Sequence, residues 1–244
     1  MLPAFARGFL EGVVAAASDF LAPARCAACL AETGRRAVLC PGCAQTTERN
    51  PSPFTVLQGE RVFAPYLYGG ALRQAVVRFK YGGAPHLGRP LGDLLAGALA
   101  TALADDPAWR IDAPIEVVPV PIHPRRLVQR GYNSPALLGS RVAEALGGEL
   151  VTDWLSRPLD TAPQAGKGRA ARLRDVQDAF AVVPTARPPG AATRVVLVDD
   201  VVTTGATLHA CAAALRRGGA RVVRPVALCC ALAENFPPGP QDGV

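Results

Sequence analysis

The chain has 244 residues, 50% of them hydrophobic, and its basic residues exceed its acidic ones to give a formal net charge of +6. A hydrophobic fraction this large excludes a disordered chain and allows one α/β domain with a small additional module. The charge is compatible with a phosphate-bearing ligand or with nucleic acid, and it requires neither.

Residues 1–22 are predicted to form an amphipathic helix that packs against the next module, because Phe5, Phe9 and Phe20 fall close to one face. The stretch VVAAAS resembles the cleavage region of a signal peptide, but Glu11 interrupts the apolar run. We therefore expect mature protein in the cytoplasm. No stretch reaches the roughly 20 apolar residues of a membrane helix, so we expect no integral membrane segment.

Two Cys-x-x-Cys pairs follow within a short stretch, and their members are Cys26, Cys29, Cys40 and Cys43. Each pair makes a tight knuckle that directs two thiolates at one point, and two knuckles complete a tetrahedral site for Zn²⁺. Because the protein would fill all four positions, the spacing predicts a structural zinc in a ribbon over residues 23–58. The other three cysteines lie in apolar stretches, where we expect core residues. An odd total of 7 argues against a disulfide framework.

Residues 59–232 alternate apolar stretches with amphipathic ones, which predicts an α/β fold. Strands are predicted at 61–68, 115–120, 149–155, 180–183, 195–198 and 221–230, and helices at 71–80, 87–103, 132–147 and 208–217. The tail, residues 233–244, is rich in Pro and Gly and is expected to be disordered.

A basic segment, IHPRRLVQRGYN, follows the predicted strand 115–120 and carries Arg125, Arg126 and Arg130. Parallel α/β sheets bind ligands at the carboxyl ends of their strands, and arginine offers bidentate hydrogen bonds to phosphate oxygens. The segment is predicted to be a loop in which at least one of these arginines contacts phosphate. The alternative is a solvated basic turn.

A second basic stretch, residues 160–178, is long for a connection and contains Lys167, Arg169 and Arg172. Long loops in compact domains are often lids. The composition is consistent with a lid that closes over a highly charged phosphate ligand, and equally with a surface that faces nucleic acid.

The stretch VVLVDDVVTTGATL, residues 195–208, is the most informative one in the chain. A buried strand is followed by the acidic pair Asp199 and Asp200. Then comes a turn of small and hydroxyl residues, which are Thr203, Thr204, Gly205, Ala206 and Thr207. A strand–turn–helix of this kind presents backbone N–H groups to a phosphate, and the acidic pair would meet sugar hydroxyls or Mg²⁺ beside it. The alternative is an ordinary capped turn, while a Walker A loop is excluded because no Gly-Lys-Ser/Thr follows.

This stretch resembles the signature of the phosphoribosyltransferases, and the order of all segments over about residues 20–231 resembles the ComF family (competence protein F-like). The resemblance is carried by the cysteine ribbon, YGGALRQAVVRFKYGG, VPVPIHPRRLVQRGYN, PQAGKGRAARLRDVQDAF and VVLVDDVVTTGATL. It implies a phosphoribosyltransferase-type, Rossmann-like parallel sheet with helices on both faces, preceded by a small Cys₄ zinc ribbon. One departure is Tyr132-Asn133-Ser134, where members commonly have Phe-Asn-Gln.

The resemblance also implies a ligand, phosphoribosyl pyrophosphate (PRPP), bound with Mg²⁺. The turn at 203–207 would hold its 5′-phosphate and the acidic pair would contact its ribose hydroxyls. The pyrophosphate would then meet the basic residues, which are Arg125, Arg126, Arg130 and Lys167. The first hypothesis is therefore transfer of phosphoribosyl to an unidentified acceptor.

A second hypothesis is implied by the same resemblance, namely binding of single-stranded DNA in natural transformation, with the DNA-uptake machinery at the inner membrane face as a partner. Arg35, Arg36 and the two basic segments would contact DNA phosphates. The aromatic content of only 6% speaks against extensive base stacking. A third hypothesis is a ligand-responsive regulator without catalysis.

Overall fold

The computed structural model describes residues 24–34, 37–106, 114–157, 179–184, 187–190 and 193–231. Its helices are α1 (Pro41–Gln45), α2 (Gly70–Tyr81), α3 (Gly88–Asp105), α4 (Pro124–Arg130), α5 (Ser134–Leu146) and α6 (Ala206–Arg217), with a 3-10 turn at Pro85–Leu87. Its strands are β1 (Phe54–Leu57), β2 (Glu60–Phe63), β3 (Tyr66–Leu67), β4 (Ile115–Pro119), β5 (Glu149–Leu150), β6 (Leu155–Ser156), β7 (Ala181–Val182), β8 (Arg194–Val202) and β9 (Val222–Cys230).

Several predicted features lie outside the described residues. They are the N-terminal helix 1–22, the stretch 160–178 with Lys167, the pair Arg35 and Arg36, and the tail 233–244. In the part of the chain that the structure does describe, no helix is both long enough and apolar enough to span a bilayer.

The central sheet has the strand order β1-β2-β9-β8-β4-β5, and β3 also pairs with β9. Only β1 and β2 pair antiparallel, while every other pair in this sheet is parallel. Strand β8 lies in the middle, paired with β9 on one side and with β4 on the other. The predicted α/β architecture is thus present, and β8 is its central strand.

Helices cover both faces of this sheet, as predicted. The inner strands are near-continuous apolar runs, which is typical of parallel strands buried on both sides. In β8, Val196 and Val198 belong to the core under α2, α3 and α5, while Val195 and Leu197 belong to the core under α6. The alternation of side chains along one strand therefore builds two separate hydrophobic layers.

Some predicted strands are shorter or divided. The predicted strand 61–68 is two strands, β2 and β3, interrupted before Pro65, which has no N–H to donate. The predicted strand 149–155 ends after Leu150, and β6 instead pairs antiparallel with β7 in a separate two-stranded sheet. The limits predicted for the modules stay predictions, although β1, which precedes residue 59, already pairs with β2 of the central sheet.

The predicted loop around Arg125–Arg130 is wrong, because these residues form helix α4. The helix begins where the His123 ring accepts a hydrogen bond from the Arg125 N–H at 3.2 Å, with Pro124 in its first turn. It ends at Gly131, whose φ of 80° is left-handed. These capping interactions at both ends thus stabilise a helix in a segment for which the basic side chains had suggested a loop.

Candidate functional site

A cleft of about 210 Å³ opens beside the carboxyl ends of β4 and β8. Its charged lining residues are Lys80, Arg126, Arg130, Arg157, Asp199 and Asp200. Parallel sheets bind ligands at this edge because the strands end there and the following loops diverge. The described lining therefore combines four basic side chains with two acidic ones, a balance that suits a polyanion.

The acidic pair lies within β8, which continues past the predicted end of the strand to Val202. Each carboxylate is fixed by the next backbone N–H: Asp200 donates to Asp199 Oδ1 at 2.8 Å, and Val201 donates to Asp200 Oδ1 at 2.8 Å. Asp200 is buried and Asp199 is half-buried. Both carboxylates are thus oriented by the backbone of β8, and both line the cleft.

Lys80, near the C-terminal end of α2, forms an ion pair with this acidic pair. Its Nζ lies 2.7 Å from Asp200 Oδ1. Burial alone would lower the pKa of Lys80, but the charges of Asp200 and Asp199 outweigh burial and raise it, so the ammonium stays charged. The sequence placed Lys80 only at a helix end, and the one signal for a role was its position within YGGALRQAVVRFKYGG.

Asp199 is unusually easy to protonate for an aspartate. Burial is the largest cause, the charge of Asp200 adds to it, and Lys80 opposes both, which together raise the pKa of Asp199 to about 7. Asp199 is therefore about half ionised at neutral pH, although the Lys80 ammonium lies nearby. An ionised carboxylate accepts hydrogen bonds from hydroxyl groups.

The turn after β8 leads directly into α6. Gly205, the residue before the helix, has a φ of 76°, and a Cβ built on it would lie 2.5 Å from the Leu57 Cβ. Only glycine fits this position without strain. Thr203 and Thr204 are exposed, Thr207 lines the cleft, and the N–H of Ala206 lies 3.4 Å from the Thr204 hydroxyl oxygen.

The arginines of α4 do not all reach the cleft. Arg126 and Arg130 line it, whereas Arg125 is exposed and does not. Arg130 is oriented by a hydrogen bond from its Nη1 to Ser134 Oγ at 2.8 Å, and its guanidinium lies 5.3 Å from the centre of the Tyr81 ring. Arg157, which follows β6, also lines the cleft and was missed, since nothing in its local sequence marks it.

Tyr132 connects the turn after α4 with the end of α2. Its ring stacks on the ring of Phe79 at 5.8 Å between centroids, and its hydroxyl donates to the Phe79 carbonyl. The neighbouring Asn133 donates to the Val120 carbonyl at 3.1 Å. Tyr132, which stands where ComF-like sequences commonly have Phe, therefore supplies a hydroxyl that binds the end of α2 carrying Lys80.

The four N-terminal cysteines come together although they lie on separate turns. Their sulfur atoms all lie within 4.8 Å of one another, and the sulfurs of Cys29 and Cys40 are 3.7 Å apart. This cysteine cluster is compatible with the predicted zinc ribbon, because four thiolates in a tetrahedron are a donor set that suits Zn²⁺. Cys26 is fully buried and Cys29 is exposed.

The thiols of the cluster differ sharply in acidity. Burial would raise the pKa of Cys26, but backbone N–H groups of Cys29, Cys40 and Ala28 stabilise its thiolate and lower the pKa to about 6. Burial and the neighbouring sulfurs raise the pKa of Cys43 to about 12. The cluster thus holds one thiol that ionises readily beside one that resists ionisation, and a bound cation would favour the thiolate form of both.

The cysteine cluster is attached to helix α2. Arg78 Nη1 donates to the Ala27 carbonyl at 3.2 Å, and the Ala71 N–H donates to the Thr46 hydroxyl oxygen at 3.1 Å. Ala71 also belongs to one small hydrophobic cluster with Cys26 and Ala28. The helix that carries Lys80 at one end therefore supports the cluster along its length. The remaining cysteines are buried in the core, as predicted; they are Cys211, Cys229 and Cys230.

Comparison with known proteins agrees with this architecture. A family model for the phosphoribosyl transferase domain matches residues 165–239, which include β8, the following turn and α6. "DNA utilization protein YhgH" of Salmonella typhimurium is 28% identical over 214 residues, covering 84% of this chain and 89% of its own. "Competence protein F" of Haemophilus influenzae is 29% identical over 149 residues, covering 61% of this chain and 63% of its own.

Among solved structures, an adenine phosphoribosyltransferase from Saccharomyces cerevisiae matches 62% of this chain and 72% of its own, at 18% identity and a TM-score of 0.37. The family match and the sheet order together give the chain the phosphoribosyltransferase-type α/β fold. The predicted resemblance to ComF-like proteins is confirmed, and the chain carries a phosphoribosyl transferase domain.

Proposed function

We propose that the cleft binds PRPP together with Mg²⁺ and that the chain transfers its phosphoribosyl group to an acceptor. The observation that carries this proposal is the meeting, in one cleft, of the acidic pair, of arginines from a different segment, and of Thr207 in the first turn of the helix that follows the left-handed Gly205. PRPP has the matching three parts, which are a ribose with free hydroxyls, a 5′-phosphate and a pyrophosphate.

Each part of the ligand has a partner of suitable chemistry. The N–H groups and hydroxyls at 203–207 receive the 5′-phosphate, because a helix N-terminus favours negative charge. The carboxylates of Asp199 and Asp200 accept hydrogen bonds from the ribose hydroxyls. Arg126 and Arg130 face the pyrophosphate, whose oxygens match the guanidinium geometry. Arg125, on the exposed side of α4, and Lys167, beyond the described residues, stay predictions.

The acidic pair does not fit a resident divalent ion, since Asp200 already binds Lys80 at 2.7 Å. We therefore treat Mg²⁺ as part of the substrate, held by the oxygens of PRPP itself. Bound there, it would neutralise charge on the pyrophosphate.

Transfer requires the bond between the anomeric carbon and the pyrophosphate oxygen to break, with the electron pair leaving on pyrophosphate. Arg126 and Arg130 stabilise the charge that develops on this leaving group. The acidic pair holds the ribose by its hydroxyls, so the positively charged carbon forms in a fixed position. An acceptor nitrogen then bonds to that carbon, and its proton passes to an oxygen of the departing pyrophosphate.

The cysteine cluster has a different role in this proposal. All four of its ligands come from the protein, so a bound Zn²⁺ would have no open position for water or substrate. We propose a structural zinc that stabilises the ribbon against helix α2.

Thermal unfolding of the zinc-loaded full chain tests ligand binding. PRPP with Mg²⁺ at about 100 times its dissociation constant is expected to stabilise the fold by about 2.7 kcal/mol. The double variant Asp199→Asn with Asp200→Asn should lose this protection while it keeps its zinc. Protection that survives in the double variant would show that the site is assigned wrongly. Pyrophosphate release, screened across nucleobases and amines, then tests catalysis separately.

A second candidate function is contact with single-stranded DNA, in the cytoplasm beside the DNA-uptake machinery at the inner membrane face. The names of the related proteins concern DNA utilization and competence. Helix α4 supports this candidate, because none of its residues is buried and it exposes Arg125 together with Leu127 and Val128. Binding should weaken steeply with salt, and Arg125→Gln should reduce the salt slope by about 0.7. An unchanged slope would remove α4 from the interface.

A further inference from the structure

We propose that Lys80 is the resident cation of the acidic pair, that it excludes free divalent ions from Asp199 and Asp200, and that Mg²⁺ consequently enters the cleft only in complex with PRPP. The exclusion stands on the geometry of the cleft's own side chains. The entry of Mg²⁺ only in complex with PRPP rests, in addition, on the proposed function.

The first argument is the position of the ammonium group. Lys80 Nζ lies 2.7 Å from Asp200 Oδ1, and the same oxygen accepts the Val201 N–H. A divalent ion would have to bond to the oxygens of this pair at about 2.1 Å for Mg²⁺. The ammonium occupies the space in front of Asp200 that such an ion would need. Binding of a free ion therefore requires Lys80 to leave.

The second argument is that the segment carrying Lys80 is held in place. Phe79, the preceding residue, is fully buried and stacks on Tyr132. The Tyr132 hydroxyl binds the Phe79 carbonyl as well. The backbone that carries Lys80 is thus fixed in α2's last turn, and the Lys80 side chain is itself only 21% exposed, so the ammonium has little room to withdraw.

The third argument is the charge of the whole cleft. Around the acidic pair, the described lining also holds Arg126, Arg130 and Arg157. A free dication approaching this cleft meets more basic groups than acidic ones, whereas a polyanion that carries its own metal is attracted. Lys80 therefore acts as a positioning residue. It keeps free Mg²⁺ away from the acidic pair, so that the metal enters the cleft only together with PRPP.

The test uses Mn²⁺ as the probe, followed by its electron paramagnetic resonance signal, with the zinc-loaded full chain and no PRPP. Manganese prefers oxygen ligands and leaves zinc on its thiolates. The unmodified protein is expected to show no saturable Mn²⁺ site. Lys80→Met should gain about one saturable site per chain, with an affinity at least about tenfold above any weak, non-saturable Mn²⁺ binding by the unmodified protein. Lys80→Arg, which keeps a cation, should gain none.

Two further measurements keep the inference falsifiable. Adding Asp199→Asn and Asp200→Asn to Lys80→Met should abolish the gained site, which assigns it to the acidic pair. A saturable Mn²⁺ site in the unmodified protein that disappears in the Asp199→Asn, Asp200→Asn variant would overturn the proposal, and this result needs no lysine variant to fold. A folded Lys80→Met variant without any Mn²⁺ site would overturn it too. Loss of PRPP protection with Mn²⁺ exclusion intact would contradict the proposed function alone.

Discussion

The cysteine cluster and the cleft are built in opposite ways. The cluster takes all its ligands from one local stretch, Cys26 to Cys43, and the spacing alone predicts the set. The cleft takes side chains from α2, α4, β8 and the chain after β6, which are distant in sequence. A metal site built from one short stretch can therefore be predicted from residue spacing, whereas a cleft built from distant segments can be predicted only once the sheet order is known.

Helix α2 joins these two regions physically. Its first turn and Arg78 contact the cysteine ribbon, and its last turn delivers Lys80 to the acidic pair. The cluster therefore comes from one stretch of the chain and the cleft from several, while both are in contact with helix α2. Substitutions in each region should show whether zinc content, stability and ligand binding depend on that region alone or also on its connection through α2.

The largest effect is expected at the cluster. Cys40→Ser should abolish stoichiometric zinc, because structural zinc contributes about 10–16 kcal/mol of apparent binding free energy, which exceeds what a small ribbon provides itself. Metal analysis of the purified protein measures the zinc content per chain. Cys211→Ala, at a buried core cysteine outside the cluster, is the control and should keep one zinc. Retention of zinc by Cys40→Ser would disprove the cluster assignment.

The next effect concerns the turn after β8. Gly205→Ala should destabilise the fold by about 2 kcal/mol and weaken PRPP protection, because alanine resists a φ of 76° and its methyl group would meet Leu57. Gly97→Ala is the matched control, since Gly97 lies in α3 with no atom within 4 Å of an added Cβ. Thermal unfolding of both variants, with and without PRPP, separates strain from loss of the phosphate site. Equal behaviour of the two would contradict the account of this turn.

The stability of the fold should depend on pH through Asp199 in the cleft. Burial and the charge of Asp200 raise the pKa of Asp199 from 3.8 to about 7. The stability that protonated Asp199 contributes is therefore present at acid pH and is lost as the pH rises through about 7.

Ligand binding should follow the opposite trend. Ionised Asp199 is the better acceptor for ribose hydroxyls, so PRPP affinity should rise about tenfold between about pH 6 and about pH 8, relative to Asp199→Asn. The variant serves as reference because phosphate groups of PRPP titrate in this range too. Calorimetric titration at several pH values measures the difference. Parallel pH profiles for the two proteins would exclude Asp199 from ribose binding.

The smallest effect tests the connection between the two regions. Arg78→Met removes the hydrogen bonds to the Ala27 and Ala28 carbonyls and should cost about 1 kcal/mol of stability. Arg73→Met, at an exposed position of the same helix, should cost little. Chemical denaturation of the zinc-loaded proteins compares them. If Arg78→Met also lowers zinc retention on chelator challenge and Arg73→Met does not, the helix supports the ribbon as described.

The parts of the fold that follow from local pattern were predictable. The strand and acidic pair of β8, the amphipathic helices α2 and α3, and the cysteine spacing each depend on residues a few positions apart. Helix α4 was not predicted, because the interpretation of this segment rested on its basic side chains. The helix is bounded instead by the His123 cap and the left-handed Gly131. Lys80 and Arg157 were missed for another reason, namely that they meet the acidic pair only through tertiary folding.

In the proposed function one cleft binds both halves of PRPP, the pyrophosphate and the ribose 5-phosphate. Calorimetric titration of the zinc-loaded chain with PRPP and with each half alone, always with Mg²⁺, decides whether it does. We predict that PRPP binds at least about tenfold more tightly than either half, since its two ends gain from a single loss of translational freedom, and that both halves compete with it. PRPP binding no tighter than pyrophosphate, and unchanged by Asp199→Asn with Asp200→Asn, would contradict the account and leave only a general anion site.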